Sequence, residues 1–241
     1  MPYRKEGFAN EEIYHIILRG LGDELIFKDL NDYYRGIFCI YEFNNSNPVS
    51  IKYRRETRNR FKKAIRERVS DKLIEEDNRD KLVEILVFCF MPNHIHLLVR
   101  QLEDNGITKF MRKVGAGYAG YLNRKYKRKG YVFQNRFRSI HIENDNQLRT
   151  IFNYIHINPV SLIAPGWKEK GIKNSGEILK FLEEYKWSSY QDYIGKKNFS
   201  SITNRDFILE FLGGDNGCKL AIEDWVKYKE ELIKSQNILL E

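Results

Sequence analysis

The chain has 241 residues, 42% of them hydrophobic, enough for one substantial core and a small appended unit. Lysine and arginine outnumber aspartate and glutamate 41 to 33, a formal charge of +8 that favours polyanionic partners without choosing among them. Three scattered cysteines (Cys39, Cys89, Cys218) argue against a disulfide or zinc framework, and no run is long and apolar enough for a membrane span or leader, so a soluble cytoplasmic protein is expected.

Ile13–Arg19 (IYHIILR) is apolar and β-branched, which predicts a strand ending at Gly20-Leu21-Gly22. Asp29 or Asn31 can cap a helix from about Asn31 to Phe43, with Leu30, Tyr33, Tyr34, Ile37, Phe38 and Tyr41 on its apolar side. The stretch 44–50 is rich in turn residues, and 51–80 is crowded with charge of both signs, as on a solvated helical face laced with i to i+4 ion pairs.

Val83–Phe90 and Asn93–Arg100 are apolar runs separated by Pro92-Asn93, the pattern of a hairpin. The second run holds His94 and His96 on either side of Ile95. Side chains alternate along a strand, so both imidazoles face one side and Ile95 the other. Two readings stay open: core histidines satisfied by hydrogen bonds, or a shared metal or phosphate site. Burying two adjacent imidazoles demands partners for both.

Gly106–Lys129 reads as a helix with Ile107, Phe110, Met111, Val114, Tyr118, Tyr121 and Leu122 on one face. Its other face carries Lys109, Arg112, Lys113, Arg124, Lys125, Lys127, Arg128 and Lys129, and no Asp or Glu occurs from Asn105 to Ile142. An ordinary solvated face mixes both signs, so this tract is expected to bind nucleic acid, with Tyr126 and Tyr131 able to stack on unpaired bases. Gly130–Glu143 alternates as a strand, with Arg136 and Arg138 on one face. A helix follows, capped by Asn144 or Asp145 and stopped by Pro159. It carries Tyr154, with Asn158 four residues later on the same face and His156 facing away. From the helix alone, Tyr154 is a core or boundary residue.

Beyond Pro159 come a connection to Ser175, a short helix Gly176–Tyr185, the segment WSSYQDYIG, and two amphipathic helices, Thr203–Gly213 and Leu220–Ser235, separated by a turn at Gly213–Gly217.

MPNHIHLLV at Met91–Val99 stands with YHIILRG (Tyr14–Gly20), GYVFQNRFRS (Gly130–Ser139), YIHINPV (Tyr154–Val160) and WSSYQDYIG (Trp187–Gly195). Together these blocks resemble the HUH (His-hydrophobic-His) single-strand nucleases, more narrowly the REP-associated tyrosine transposases and the single-tyrosine insertion-sequence transposases. They occur in the family's order across about 13–195. The resemblance implies an α+β fold of ferredoxin-like, split-βαβ type: an antiparallel sheet with helices packed on one face. That agrees with the predicted order of strand, helix, hairpin, helix, strand, helix. It further implies a HUH domain over 1–160, with an insertion at about 44–82 that short members lack, and a C-terminal helical extension over 161–241. The insertion is expected to be helical and solvated, an additional DNA-contacting surface being the alternative.

By the same resemblance Tyr154 is the nucleophile and His94, His96 and Asn158 hold Mg²⁺ or Mn²⁺, although insertion-sequence relatives carry Gln where this chain has Asn158. His15, in the family's YH pair, is expected to be structural or close to DNA. The implied activity is cleavage and rejoining of single-stranded DNA through a 5′-phosphotyrosine. The implied partner is hairpin-ended (palindromic) DNA, in the bacterial cytoplasm with the nucleoid, the protein acting as a monomer rather than as a dimer that exchanges tyrosine helices. The competing classes are a catalytically silent hairpin-binding protein and an RNA-processing nuclease.

Overall fold

The computed structural model describes residues 7–51, 56, 77–134 and 136–238. Its strands are β1 (Ile13–Arg19), β2 (Val83–Met91), β3 (His94–Gln101) and β4 (Arg138–Ile142). They pair antiparallel in the order β2-β3-β1-β4. Pro92 and Asn93 form the turn between β2 and β3, and the Pro92 carbonyl accepts from the backbone of Ile26 and Phe27 at 2.8 and 3.0 Å. The hairpin tip is thereby tied to the segment that leads into α1 (Leu30–Glu42). Asp29 caps that helix in a reciprocal capping box with Asp32.

Alternation decides what each face buries. Ile16, Leu18, Ile95, Leu97, Phe88 and Phe90 pack with α1 and with α2 (Gly106–Lys125) on one face. Cys89, Met91 and Leu98 pack on the other with Leu148, Phe152 and Ile155 of α3 (Asp145–Ile157). The antiparallel α+β fold is therefore as expected, but its helices do not share one face. β2 and β3 are apolar on both sides, and water is excluded from both only when helices lie on each. A bulge between Ile85 and Val87 resets the alternation midway along β2.

Residues after 160 add to this second core rather than standing apart from it. They form α4 (Trp167–Lys170), α5 (Ser175–Glu184), α6 (Tyr190–Tyr193), α7 (Asp206–Leu212) and α8 (Gly214–Ile238). Trp167, Ile178, Leu182, Tyr190, Tyr193, Ile208, Ile222 and Val226 are buried there. The stretch before α6 also covers the free edge of β2. Phe90 N–H donates to the Trp187 carbonyl at 2.8 Å and Ser189 N–H to the Phe88 carbonyl at 3.0 Å. The Tyr193 hydroxyl donates to the Leu86 carbonyl at 2.7 Å. An otherwise unpaired sheet edge is closed in this way.

Three predicted boundaries shift. The long strand Gly130–Glu143 contracts to Arg138–Ile142, and residues before it touch β1 through the isolated bridge Gly20 to Phe133. The helix expected to reach Lys129 ends at Lys125, because Lys127 turns left-handed (φ 51°) and Asn123 Nδ2 holds the Gly130 carbonyl at 2.9 Å. In the glycine-rich stretch 213–217 only Gly213 separates the two helices. A Cβ at Gly217 would lie 1.7 Å from the Leu212 carbonyl oxygen, so its glycine permits a close helix joint.

The insertion leaves and returns at one neck. Asn44, 3% exposed, donates from Nδ2 to the Val83 carbonyl at 2.7 Å and accepts at Oδ1 from Leu82 and Val83 N–H at 3.1 Å each. Its predicted helical character falls on residues 52–55 and 57–76, which lie outside the described residues. Among the described residues no helix is long and apolar enough to cross a membrane.

Candidate active site

The register of β1 against β3 sets Ile17 opposite His96 and Arg19 opposite His94. Both histidines point to the face covered by α3, away from the core side that takes Ile95. Asn144 caps α3 by accepting from Gln147 N–H at 3.0 Å, and Phe152 and Ile155 anchor the helix in the second core. Tyr154 lies between those anchors, half-buried above the histidines. Its ring centroid is 5.6 Å from that of His96, with the planes at 89°. The His94 and His96 rings are 4.7 Å apart.

These side chains share an open cleft of about 280 Å³ with Asn158, Ser161, Ile17, Arg19, Gln134, Arg136, Arg138 and Lys168. A larger hollow of about 480 Å³ beside α1 is lined by Tyr34, Phe38, Tyr41 and Phe199 among others, and among the described residues it presents no His, Cys, Asp or Glu.

The hydrogen bonds of the imidazoles decide what they offer. His94 Nδ1 lies 2.6 Å from Asn93 Oδ1, and His96 Nδ1 lies 2.9 Å from His15 Nε2. With Nδ1 occupied on both rings, Nε2 is the nitrogen each can present. His96 Nε2 is buried and has no hydrogen-bond partner among the described residues. An orphaned buried nitrogen beside a cleft is what a ligand would satisfy. Burial holds His94 down to about 4, with the Arg19 and Lys168 charges adding to it, and holds His96 well below the ordinary imidazole value. Both rings are therefore neutral near pH 7, the form that binds a metal.

Asn158 follows α3 directly and donates from Nδ2 to the Tyr154 carbonyl at 3.0 Å. That bond leaves its amide oxygen for the cleft. Among the described residues no cluster of three or more His, Cys, Asp or Glu could hold a metal. A cation here would take two imidazoles and an amide oxygen, with its remaining positions open. That set fits Mg²⁺ or Mn²⁺ with substrate oxygens and water completing the shell.

The predicted basic residues separate into two groups. Arg136 and Arg138 line the cleft. The others lie across the sheet, on α2, which packs the opposite face, and on the turn that follows it. Several of them already have partners: Lys125 with Asp29 and Asp32 at 2.6 Å, Arg128 with Glu24 at 2.6 Å and Lys109 with Glu103 at 2.7 Å. Lys113 donates to the Ser46 and Asn47 carbonyls at 3.1 and 2.8 Å, and also to that of Asn45, which locks the neck of the insertion. Arg112, Arg124, Lys127 and Lys129 are exposed. Sequence reasoning passed over Lys168 and Arg19 as cleft residues, and His15 as the partner of His96. His15 shares the odd-numbered face of β1 with Ile17 and was detectable by alternation; Lys168 had no such signal.

Two same-face histidines on a central strand of an antiparallel sheet thus meet a tyrosine on the helix packed over that face. The family model for IS200-like transposases matches residues 48–158. Among solved structures, a REP-associated tyrosine transposase bound to a REP hairpin has a similar fold, with a TM-score of 0.51 at 14% sequence identity, covering 83% of this chain and 90% of that one. No curated protein matches the sequence.

Proposed function

We propose that this protein cleaves and rejoins single-stranded DNA next to a hairpin, with Tyr154 as nucleophile. The observation that carries the reading is the approach of the Tyr154 and His96 rings, 5.6 Å apart, at a cleft that also presents Arg136 and Arg138. The Tyr154 phenol oxygen bonds to phosphorus as the bond from phosphorus to the 3′ oxygen breaks. The phenol gives up its proton and the departing 3′ oxygen gains one. The product is a 5′-phosphotyrosine and a free 3′-OH. Because a phenol has a pKa near 10, phenoxide leaves far more readily than a sugar alkoxide, so a 3′-OH can reverse the step and join a new strand.

A divalent cation, Mg²⁺ or Mn²⁺, held by His94, His96 and Asn158, would supply Lewis-acid withdrawal of charge from the non-bridging oxygens. The residues themselves do the positioning. The Nδ1 bonds to Asn93 and His15 fix both imidazole rings, and the bond from Asn158 to the Tyr154 carbonyl ties the amide to the tyrosine's own helix. Arg136 and Arg138 provide positive charge for the DNA backbone. In this reading the protein acts as a monomer, with the tyrosine and the histidines in cis.

The test is a set of DNA hairpins with single-stranded flanks, incubated with Mg²⁺ or Mn²⁺ and run on denaturing gels. Wild type should form a covalent protein–DNA adduct; Tyr154→Phe and the double variant His94→Ala/His96→Ala should form none. Adduct persisting in Tyr154→Phe removes that residue from the role. Salt-sensitive binding without adduct on every hairpin points to a silent hairpin-binding protein, and preference for the RNA version of one stem-loop points to RNA processing. Light scattering with gel filtration reads the oligomeric state.

A further inference from the structure

We propose that Lys168 is a substrate-contacting residue: its ammonium group, set over the face of Tyr154 by the C-terminal extension, binds the phosphate that the tyrosine attacks. The inference rests on reading the cleft as a single-strand DNA site. It makes the extension part of that site, although Lys168 lies beyond the stretch 48–158 that matches the transposase family.

Lys168 Nζ lies 5.0 Å from the centroid of the Tyr154 ring. Its backbone is fixed by its neighbour. Trp167 is 4% exposed and packs edge-on against Trp225 of α8 at 5.2 Å, which pins the short α4 to the second core. Lys168 itself remains exposed, and among the described residues it pairs with no carboxylate. Arg19, lining the same cleft, is already paired with Asp23 at 3.0 Å.

Among the described residues, none lining the cleft is an Asp or Glu. The inferred metal ligands are neutral as well, two imidazoles and an amide. The anions the reaction would bring to this cleft are the non-bridging oxygens of the phosphate and the phenolate. An unpaired ammonium at the ring face is placed to meet that charge as it develops. A cation–π contact alone does not account for the arrangement, because an exposed pair of this kind is weak and a lysine in water is well solvated without it.

The experiment has a binding arm and a chemical arm. In a Tyr154→Phe background, binding of single-stranded oligo(dT) is measured against NaCl concentration. Adding Lys168→Ala should weaken binding and lower the slope of log affinity on log salt by about 0.7, the value for one phosphate contact on a single strand. Lys168→Arg should restore the slope, and Lys227→Ala, on α8, should leave it unchanged. In the otherwise wild-type protein, Lys168→Ala should slow adduct formation on a hairpin substrate by about 10- to 100-fold at saturating DNA. A neutral methylphosphonate at the reacting position should erase the difference between Lys168→Ala and wild type. Melting temperatures of the variants, matched to wild type, show that the fold is intact.

An unchanged salt slope in Lys168→Ala overturns the proposal, whatever the chemical arm shows. If wild type forms no adduct on any hairpin, the proposed function fails, while the slope in the binding arm still decides whether Lys168 holds a phosphate. A reduced slope with an unchanged adduct rate assigns the contact to a neighbouring phosphate and overturns the assignment to the reacting one.

Discussion

His15 Nε2 on β1 lies 2.9 Å from His96 Nδ1 on β3, so one imidazole holds another at the floor of the cleft. The bond has a consequence for metal binding. For His96 Nε2 to offer a lone pair, Nδ1 must carry the proton and donate it to His15 Nε2. Removing this acceptor frees the other tautomer and lets the ring turn. His15→Ala should therefore weaken Mn²⁺ binding to the DNA-free protein by about 10- to 100-fold, as loss of an outer-shell partner does elsewhere. Titration calorimetry reads the affinity, and ¹⁵N shifts of His96 read the tautomer. Equal affinity and an unchanged tautomer would reduce His15 to a packing residue.

Much of this site was legible before any coordinates. The two histidines fell on one face because strand periodicity is exact over three residues, and the hairpin announced itself through Pro92-Asn93. Asp29 and Asn144 cap their helices as side-chain chemistry dictates. What periodicity could not reach was the balance of charge in space. The tract from Asn105 to Ile142 lacks acids along the chain, yet Asp29, Asp32, Glu24 and Glu103 arrive from elsewhere to meet Lys125, Arg128 and Lys109. Lys168 was hidden for the same reason: it reaches Tyr154 through Trp167 and its contact with Trp225, a tertiary relation with no local period.

Buried neutral histidines should make the fold sensitive to mild acid. Burial holds His15 near 4 and His156 near 3, and His156 is bonded at Nε2 to Ser189 Oγ at 2.9 Å. In the unfolded chain both titrate near 6.5, so below that pH the unfolded state binds more protons. Stability is full above about pH 6.5 and declines as pH falls toward 4. Each such histidine contributes a slope of up to about 1.4 kcal/mol per pH unit. Urea unfolding at pH 7.5, 6.5, 5.5 and 4.5 checks the sign. A profile level down to pH 4.5 would contradict it.

One amide ties the two strands of the insertion's neck together. Asn44 is bonded to Val83 O, Val83 N–H and Leu82 N–H, its amide supplying both the donor and the acceptor those backbone groups need. Asn44→Ala would leave those backbone groups unpaired in a buried setting and should cost about 2–4 kcal/mol. Asn44→Asp should retain part of the loss, since a carboxylate accepts from both N–H groups but faces the Val83 carbonyl. Denaturant midpoints of the two variants, compared at constant slope, give the ordering; an Asn44→Ala midpoint equal to wild type would show that the neck is held by other bonds.

Helix α2 contains glycines that should respond to the same substitution with opposite signs. A Cβ on Gly117 would lie 2.1 Å from the Phe43 ring, so that glycine lets α2 approach the end of α1. Phe43 is itself buried and packed by Phe38, and has little room to yield. Gly117→Ala should therefore destabilise by about 1–3 kcal/mol through overpacking. Gly115 and Gly120 meet nothing within 4 Å. There an added methyl costs no contact and removes the conformational freedom that glycine gives the unfolded chain, so each Ala should stabilise by about 0.5–1 kcal/mol. Thermal melts of the three single variants test the contrast directly. A stable Gly117→Ala protein would mean that the approach of α2 to Phe43 is looser than the packing of the two helices requires.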